Sequence, residues 1–169
     1  NAILNEENGA SNFLFAGEKK DHPYQQDYIE GLKEWWDISS ASDCKESIGL
    51  LMKGQMHHAA FNKDYKHFYS MSEAEFQEML KAEPKYNTLD KLIWKKKAFY
   101  QEKGIFAWDL IRAIGVMAWG RNAGYVTEDE AYSYALDISK KIQENFDSFE
   151  EMSENYLTGY LYWSLDENK

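Results

Sequence analysis

Ala107-Trp108-Asp109-Leu110-Ile111-Arg112-Ala113-Ile114, continued by Ala118-Trp119-Gly120, Ala123-Gly124-Tyr125-Val126-Thr127 and Glu130-Ala131, decides the architecture. Residues 105–121 read as the most apolar helix of the chain, with Trp108, Ile111, Ile114 and Ala118 close to one face. Asn122-Ala123-Gly124 is a C-terminal stop, because glycine accepts the left-handed conformation at little cost. Thr127-x-x-Glu130 is a capping box that opens the next helix, on which Ala131, Ala135, Ile138, Ile142 and Phe146 keep a helical period.

The same reading extends outward. Tyr24 to Trp36 carries Tyr28, Leu32 and Trp35/Trp36 at helical spacing. A Ser-rich turn, Asp37 to Ser42, supplies an N-cap for a helix expected to run to about Ala60. Ser72-x-x-Glu75 is a second capping box, before Phe76, Met79 and Leu80, with Pro84 as the stop. Thr88 is expected to cap a segment whose stripe is Leu89, Leu92, Ile93 and Phe99 and which Gly104 breaks. Ser148-x-x-Glu151, a third box, opens a last helix with Met152, Tyr156, Gly159 and Trp163. No segment alternates with period two and no strong hairpin signal appears. The expectation is an all-α, single-domain bundle of about six or seven helices, with a weakly patterned segment at 1–21 and the helical domain at 22–169.

Composition narrows the function classes. The 169 residues suit one domain with a real core, and 16% aromatic residues argue against disorder. The formal net charge is -10. Proteins that bind nucleic acid need excess Lys and Arg to displace counterions from phosphate, so no direct nucleic-acid contact is expected. Residues 127–169 hold 11 acids against 3 bases and 1–80 hold 14 against 7, while 81–126 hold 4 against 9, so two acidic flanks surround a basic middle. Either the charges are simply solvated, or an acidic face steers toward a basic partner. Cys44 is the single cysteine, which excludes an internal disulfide and a Cys-based zinc site and fits a reducing, cytoplasmic setting. No apolar run reaches membrane-span length, and the first residues lack a signal-peptide pattern, so no membrane association is expected.

The quoted block resembles the bacterial family catalogued as domain of unknown function 1266. The likeness rests on the Trp108-Asp109-Leu110…Arg112-Ala113 segment, the Ala123-Gly124-Tyr125 turn, Glu130-Ala131 after a capping residue, and Tyr156…Gly159…Trp163. Upstream, Trp36-Asp37-Ile38, Leu51 and Gly54-Gln55-Met56-His57 extend it, so it spans about Trp35 to Trp163. One departure is visible: the family usually has Trp after the third Ser cap, where Phe149 stands here, and Phe is expected to fill the same pocket. The resemblance implies a small helical domain and carries no established reaction. Members occur beside bacterial toxin genes, which implies an immunity protein as one role.

Asp109 and Arg112 lie three apart on one helix and are expected to fix a neighbouring helix end, the alternative being an active site. Trp108, Asp109, Arg112, Tyr125, Thr127, Glu130 and Trp163 form the expected structural polar core. His57 and His58 diverge by about 100° on a helix, so no metal site is expected, although His57 and His67 could converge with an acid. Lys95-Lys96-Lys97 reads as a solvated face. There is no nucleophile elbow and no Gly-rich phosphate loop, so neither a catalytic residue nor a cofactor is expected.

Two functions follow. The first is an acidic cytoplasmic immunity protein that neutralises a toxin, a basic nuclease by preference, encoded by an adjacent gene. The expected contact residues are Glu144, Asp147, Phe149, Glu150, Glu151, Glu154 and Tyr156. The second is an enzyme or small-ligand-binding domain with a polar pocket around Asp109 and Arg112.

Overall fold

The computed structural model describes residues 25–82 and 87–166; the expectations for 1–21 and for Pro84 lie outside these residues. Among the described residues the order is α1 (Gln25–Trp36), α2 (Ala41–Met52), α3 (His57–Tyr65), a 3-10 turn (Lys66–Tyr69), α4 (Glu73–Ala82), α5 (Asn87–Lys95), α6 (Lys97–Lys103), α7 (Phe106–Ala123), α8 (Glu128–Asn145) and α9 (Phe149–Asp166), with no strand. The architecture is all-α. The expected count of six or seven helices is too low. With α5 and α6, which only Lys96 separates, taken as one interrupted rod, there are eight.

One local break accounts for the extra helix, and a second interrupts an expected helix without adding to the count. The helix expected to reach Ala60 ends at Met52, where Gly54 turns to φ +65° and the chain restarts at His57. The segment expected between Thr88 and Gly104 is interrupted at Lys96, whose φ of -111° and ψ of 28° leave helical geometry. Thr88 lies inside α5, one residue past its start, rather than capping it.

Two of the three capping boxes close reciprocally, and the third closes in part. Glu75 and Glu130 each return a hydrogen bond to the box's first backbone N–H, at Ser72 and Thr127 (both 2.9 Å). In the third, Glu151 N–H donates to Ser148 Oγ, but the Glu151 carboxylate accepts from Asp147 N–H, one residue earlier. A further box was not foreseen: Asp43 N–H donates to Ser40 Oγ (3.2 Å), and Asp43 Oδ2 accepts from Ser39 N–H (3.1 Å). That backbone donor, followed by Ser40, lowers the Asp43 carboxyl below its ordinary value.

By packing, the described residues group into two compact units, one of 25–53 with Leu110–Lys141 and the other of Gly54–Asp109 with 142–166. In the first, Leu32, Ile38, Cys44, Ile48, Leu51, Leu110, Val116 and Ile138 are buried. α2 meets α7 closely here: a Cβ on Gly120 would stand 2.4 Å from Cys44 Sγ. The second unit has an aromatic core of Phe61, Tyr65, Phe68, Phe76, Tyr100 and Trp108 with Leu89, Ile93 and Ile105. Rings meet edge to face, as at Phe68–Phe76 (5.6 Å, 81°), or stack, as at Phe76–Trp94 (4.6 Å, 7°), the arrangements that ring quadrupoles favour.

Two outcomes test the α2–α7 contact. Gly120→Ala should destabilise by about 1–3 kcal/mol through overpacking, and Cys44→Ala in the same chain should recover part of that loss in urea unfolding. Burial raises the Cys44 thiol to about 11, so it stays protonated at neutral pH. Thiol-specific alkylation should therefore be slow in the native protein and become fast only across the unfolding transition.

Candidate functional site

α3 begins without a cap of its own. Its N-cap position is Met56, which has no side-chain oxygen, so the first N–H groups of the helix need another acceptor. Asp109, in the first turn of α7, provides one. Its Oδ2 accepts from His58 N–H at 3.2 Å, across 51 residues of sequence. Asp109 is 0% exposed, and a buried carboxylate is costly unless donors and positive charge face it. The positive end of the α3 dipole supplies part of that compensation. His57 Nδ1 lies 3.9 Å from Asp109 Oδ1, and the His57 ring stands edge-on to Trp108 at 6.2 Å. His58 turns inward beside Phe106 and pairs with Asn62 through Nε2 (2.9 Å); burial lowers its pKa, favouring the neutral ring.

Trp108 sets the position of α9. It is 3% exposed and packs on Tyr156 (5.2 Å) and Trp163 (5.9 Å). Gly159 lies against it: a Cβ there would be 2.3 Å from Trp108 Cβ. The spaced Tyr156, Gly159 and Trp163 of the sequence thus form the surface that receives one indole. Fully buried Asn155 completes this contact, donating to Gly104 C=O (2.8 Å) and accepting from Ala107 N–H (2.9 Å), which fixes the entry into α7.

Arg112 and Tyr125 belong to the other unit. The Arg112 guanidinium lies 4.4 Å from the centre of the Trp36 ring, and Trp36 in turn packs on Trp119. Gly124 has φ +84°, and Tyr125 OH then donates to Ser39 C=O at 3.2 Å. Glu130 closes its capping box and also pairs with Lys45 at 2.6 Å. That pair first, and the Thr127 donors next, lower the Glu130 carboxyl to about 2.

The seven expected contact residues separate into two groups. Glu144, Asp147, Phe149 and Glu150 are exposed. Glu151 is paired with Lys103 (3.4 Å), Glu154 with Lys96, and Tyr156 is committed to Trp108. Phe149 is 81% exposed, so it fills no pocket, contrary to expectation; at the first position of α9 it points away from the core. The lysine run is only partly a solvated face. Lys95 is exposed, Lys96 holds Glu154, and Lys97 lies over Trp94 and donates to Met71 C=O. The run borders an open groove of about 740 Å³ that Trp94, Phe99, Ser148 and Glu150 also line. His67 packs edge-on against Phe68, and among the described residues no three His, Cys, Asp or Glu side chains gather as a metal site requires.

The family described as "Protein of unknown function (DUF1266)" matches residues 31–169. The chain belongs to this family. No curated protein and no solved structure matches the chain.

Several buried polar residues escaped the sequence reading of this family member: Asn155, Thr158, Arg121, Asn122 and Asp90. The signal for Asn155 was available, since it shares the inward side of α9 with Met152 and Gly159. Arg121 follows Gly120 with no such mark; it bonds Asn122 and pairs with Glu128 at 3.3 Å.

Two measurements probe these contacts. Asp109→Asn should lower stability by about 1–3 kcal/mol, because it weakens a charge-assisted bond to a helix end, and urea unfolding would read it. Glu130 has a folded pKa depressed from the ordinary 4.5 to about 2, so its stabilising contribution is present above pH 4.5 and lost as the pH falls to 2. Wild type should accordingly exceed Glu130→Gln in stability near neutrality, with the difference closing toward pH 2 in acid-unfolding curves.

Proposed function

We propose that the chain is an immunity protein of the cytoplasm that binds a basic protein toxin, a nuclease by preference, and blocks it. The observation that carries this reading is how the motif residues are used. Asp109 caps α3, Trp108 and Gly159 seat α9, Gly124 turns the chain, and Thr127 with Glu130 starts α8. The polar residues that mark the family therefore have packing duties, and the acidic exterior is left to act on other molecules. A nuclease needs a cationic cleft to hold phosphate. A protein of net charge -10 can approach such a cleft quickly under long-range attraction and exclude the substrate. The occurrence of the resembled family beside toxin genes supports the same reading. The ligand-pocket alternative has less support, because Asp109 accepts from the start of α3 and Arg112 lies over the Trp36 ring.

Co-expression with the product of the adjacent gene tests the proposal. The two proteins should co-purify at low salt, and the complex should weaken as ionic strength rises, because the Debye length falls from about 10 Å at 0.1 M to about 3 Å at 1 M. Cells producing the neighbour alone should stop growing and recover when this chain is supplied. A neighbour that is neither toxic nor bound removes the reading.

A further inference from the structure

α9 is apolar on two sides, and the fold covers one of them. Met152, Asn155, Gly159 and Trp163 lie on the side packed within the unit. Positions 149, 153, 157, 160, 161 and 164 share the opposite side of an α-helix. There Phe149 is 81% exposed, Leu157 58%, Tyr160 47% and Leu161 41%. A surface helix ordinarily turns polar side chains outward, and one that is apolar all round is ordinarily enclosed. One exposed leucine needs no explanation, but Leu157, Tyr160 and Leu161 form an apolar strip on one side of a single helix, with Phe149 about 12 Å before it beyond Ser153 at 1.5 Å per residue; the Tyr160 ring also reaches Trp108 (6.2 Å) and Trp163 (6.0 Å).

The charge on α9 itself is of one sign, and the nearby bases Lys95, Lys96 and Lys97 lie in the groove beside Glu150. From Phe149 to Asp166 there is no Lys, Arg or His. Lys103 and Lys96 neutralise Glu151 and Glu154. Exposed Glu150 has no ion-pair partner among the described residues, and exposed Glu144 and Asp147 stand just before the helix. A second copy meeting this surface symmetrically would bring the same carboxylates face to face, which is unfavourable. A surface rich in Lys and Arg around an apolar centre is complementary to it in both respects.

We propose that the outer strip of α9 is the docking surface for a cationic protein, with Leu157 and Leu161 at its centre and Tyr160, Asp147 and Glu150 on its rim. The inference rests on the binding-protein reading above and names the surface that performs it. It moves the contact away from Glu151, Glu154 and Tyr156, which are engaged within the unit.

Calorimetric titration of the purified chain with the purified product of the adjacent gene decides it. Leu157→Ser/Leu161→Ser should weaken binding at least about tenfold, as truncation of central anchors does, with an unchanged melting temperature. Glu150→Lys should slow association at low salt, and the difference should vanish at high salt. Tyr132→Ser/Leu136→Ser, an exposed apolar pair on α8, should bind as wild type does. Wild-type affinity in the α9 double variant overturns the strip while leaving the binding-protein reading standing. A wild-type chain that does not bind the neighbour overturns both. If light scattering shows a dimer of the chain alone that the α9 double variant dissolves, the strip joins two copies and the cationic partner is wrong.

Discussion

A carboxylate with no solvent contact has to be met by donors, and the bond from His58 N–H to Asp109 is where this chain meets that requirement. It solves two problems at once. α3 starts at a methionine that cannot cap it, and α7 carries an acid among apolar neighbours. At this contact the carboxylate serves the start of α3, and the helix end serves the carboxylate. The aromatic core of the same unit depends on that start, because Phe61 and Tyr65 project from α3 into the cluster containing Tyr100 and Trp108.

The same economy governs the other marked residues. Gly159 gives space to an indole, Gly120 gives space to a thiol, and Glu130 serves both a capping box and an ion pair with Lys45. Buried Asn155 uses both ends of its amide to hold the chain as it enters α7. The outer side of α9 is different: Leu157 and Leu161 are exposed, and Tyr160, which also packs on Trp108 and Trp163, is half exposed.

Charge has a comparable division. Of the acids near the start of α9, Glu151 and Glu154 are paired with Lys103 and Lys96, and Glu150 faces water. Net charge alone could not separate these roles. Two glutamates one residue apart, Glu150 and Glu151, end in different environments because successive helical positions diverge by about 100°.

The sequence by itself determined what depends on neighbours along the chain. The capping boxes at Ser72, Thr127 and Ser148, the turn at Gly124 and the apolar period of α7 and α8 were all legible, because a cap or a helical stripe involves residues only three or four apart. The break between Met52 and His57 was not, since Gly54 and Met56 look locally tolerable and the compensating carboxylate is 51 residues from His58. Tertiary structure alone decided that Asp109 faces α3, that Arg112 lies on Trp36, that Glu151 and Glu154 are neutralised, and that Phe149 is outside rather than in a pocket. Spacing fixes which side of a helix a residue occupies, but what that side meets depends on how distant segments pack.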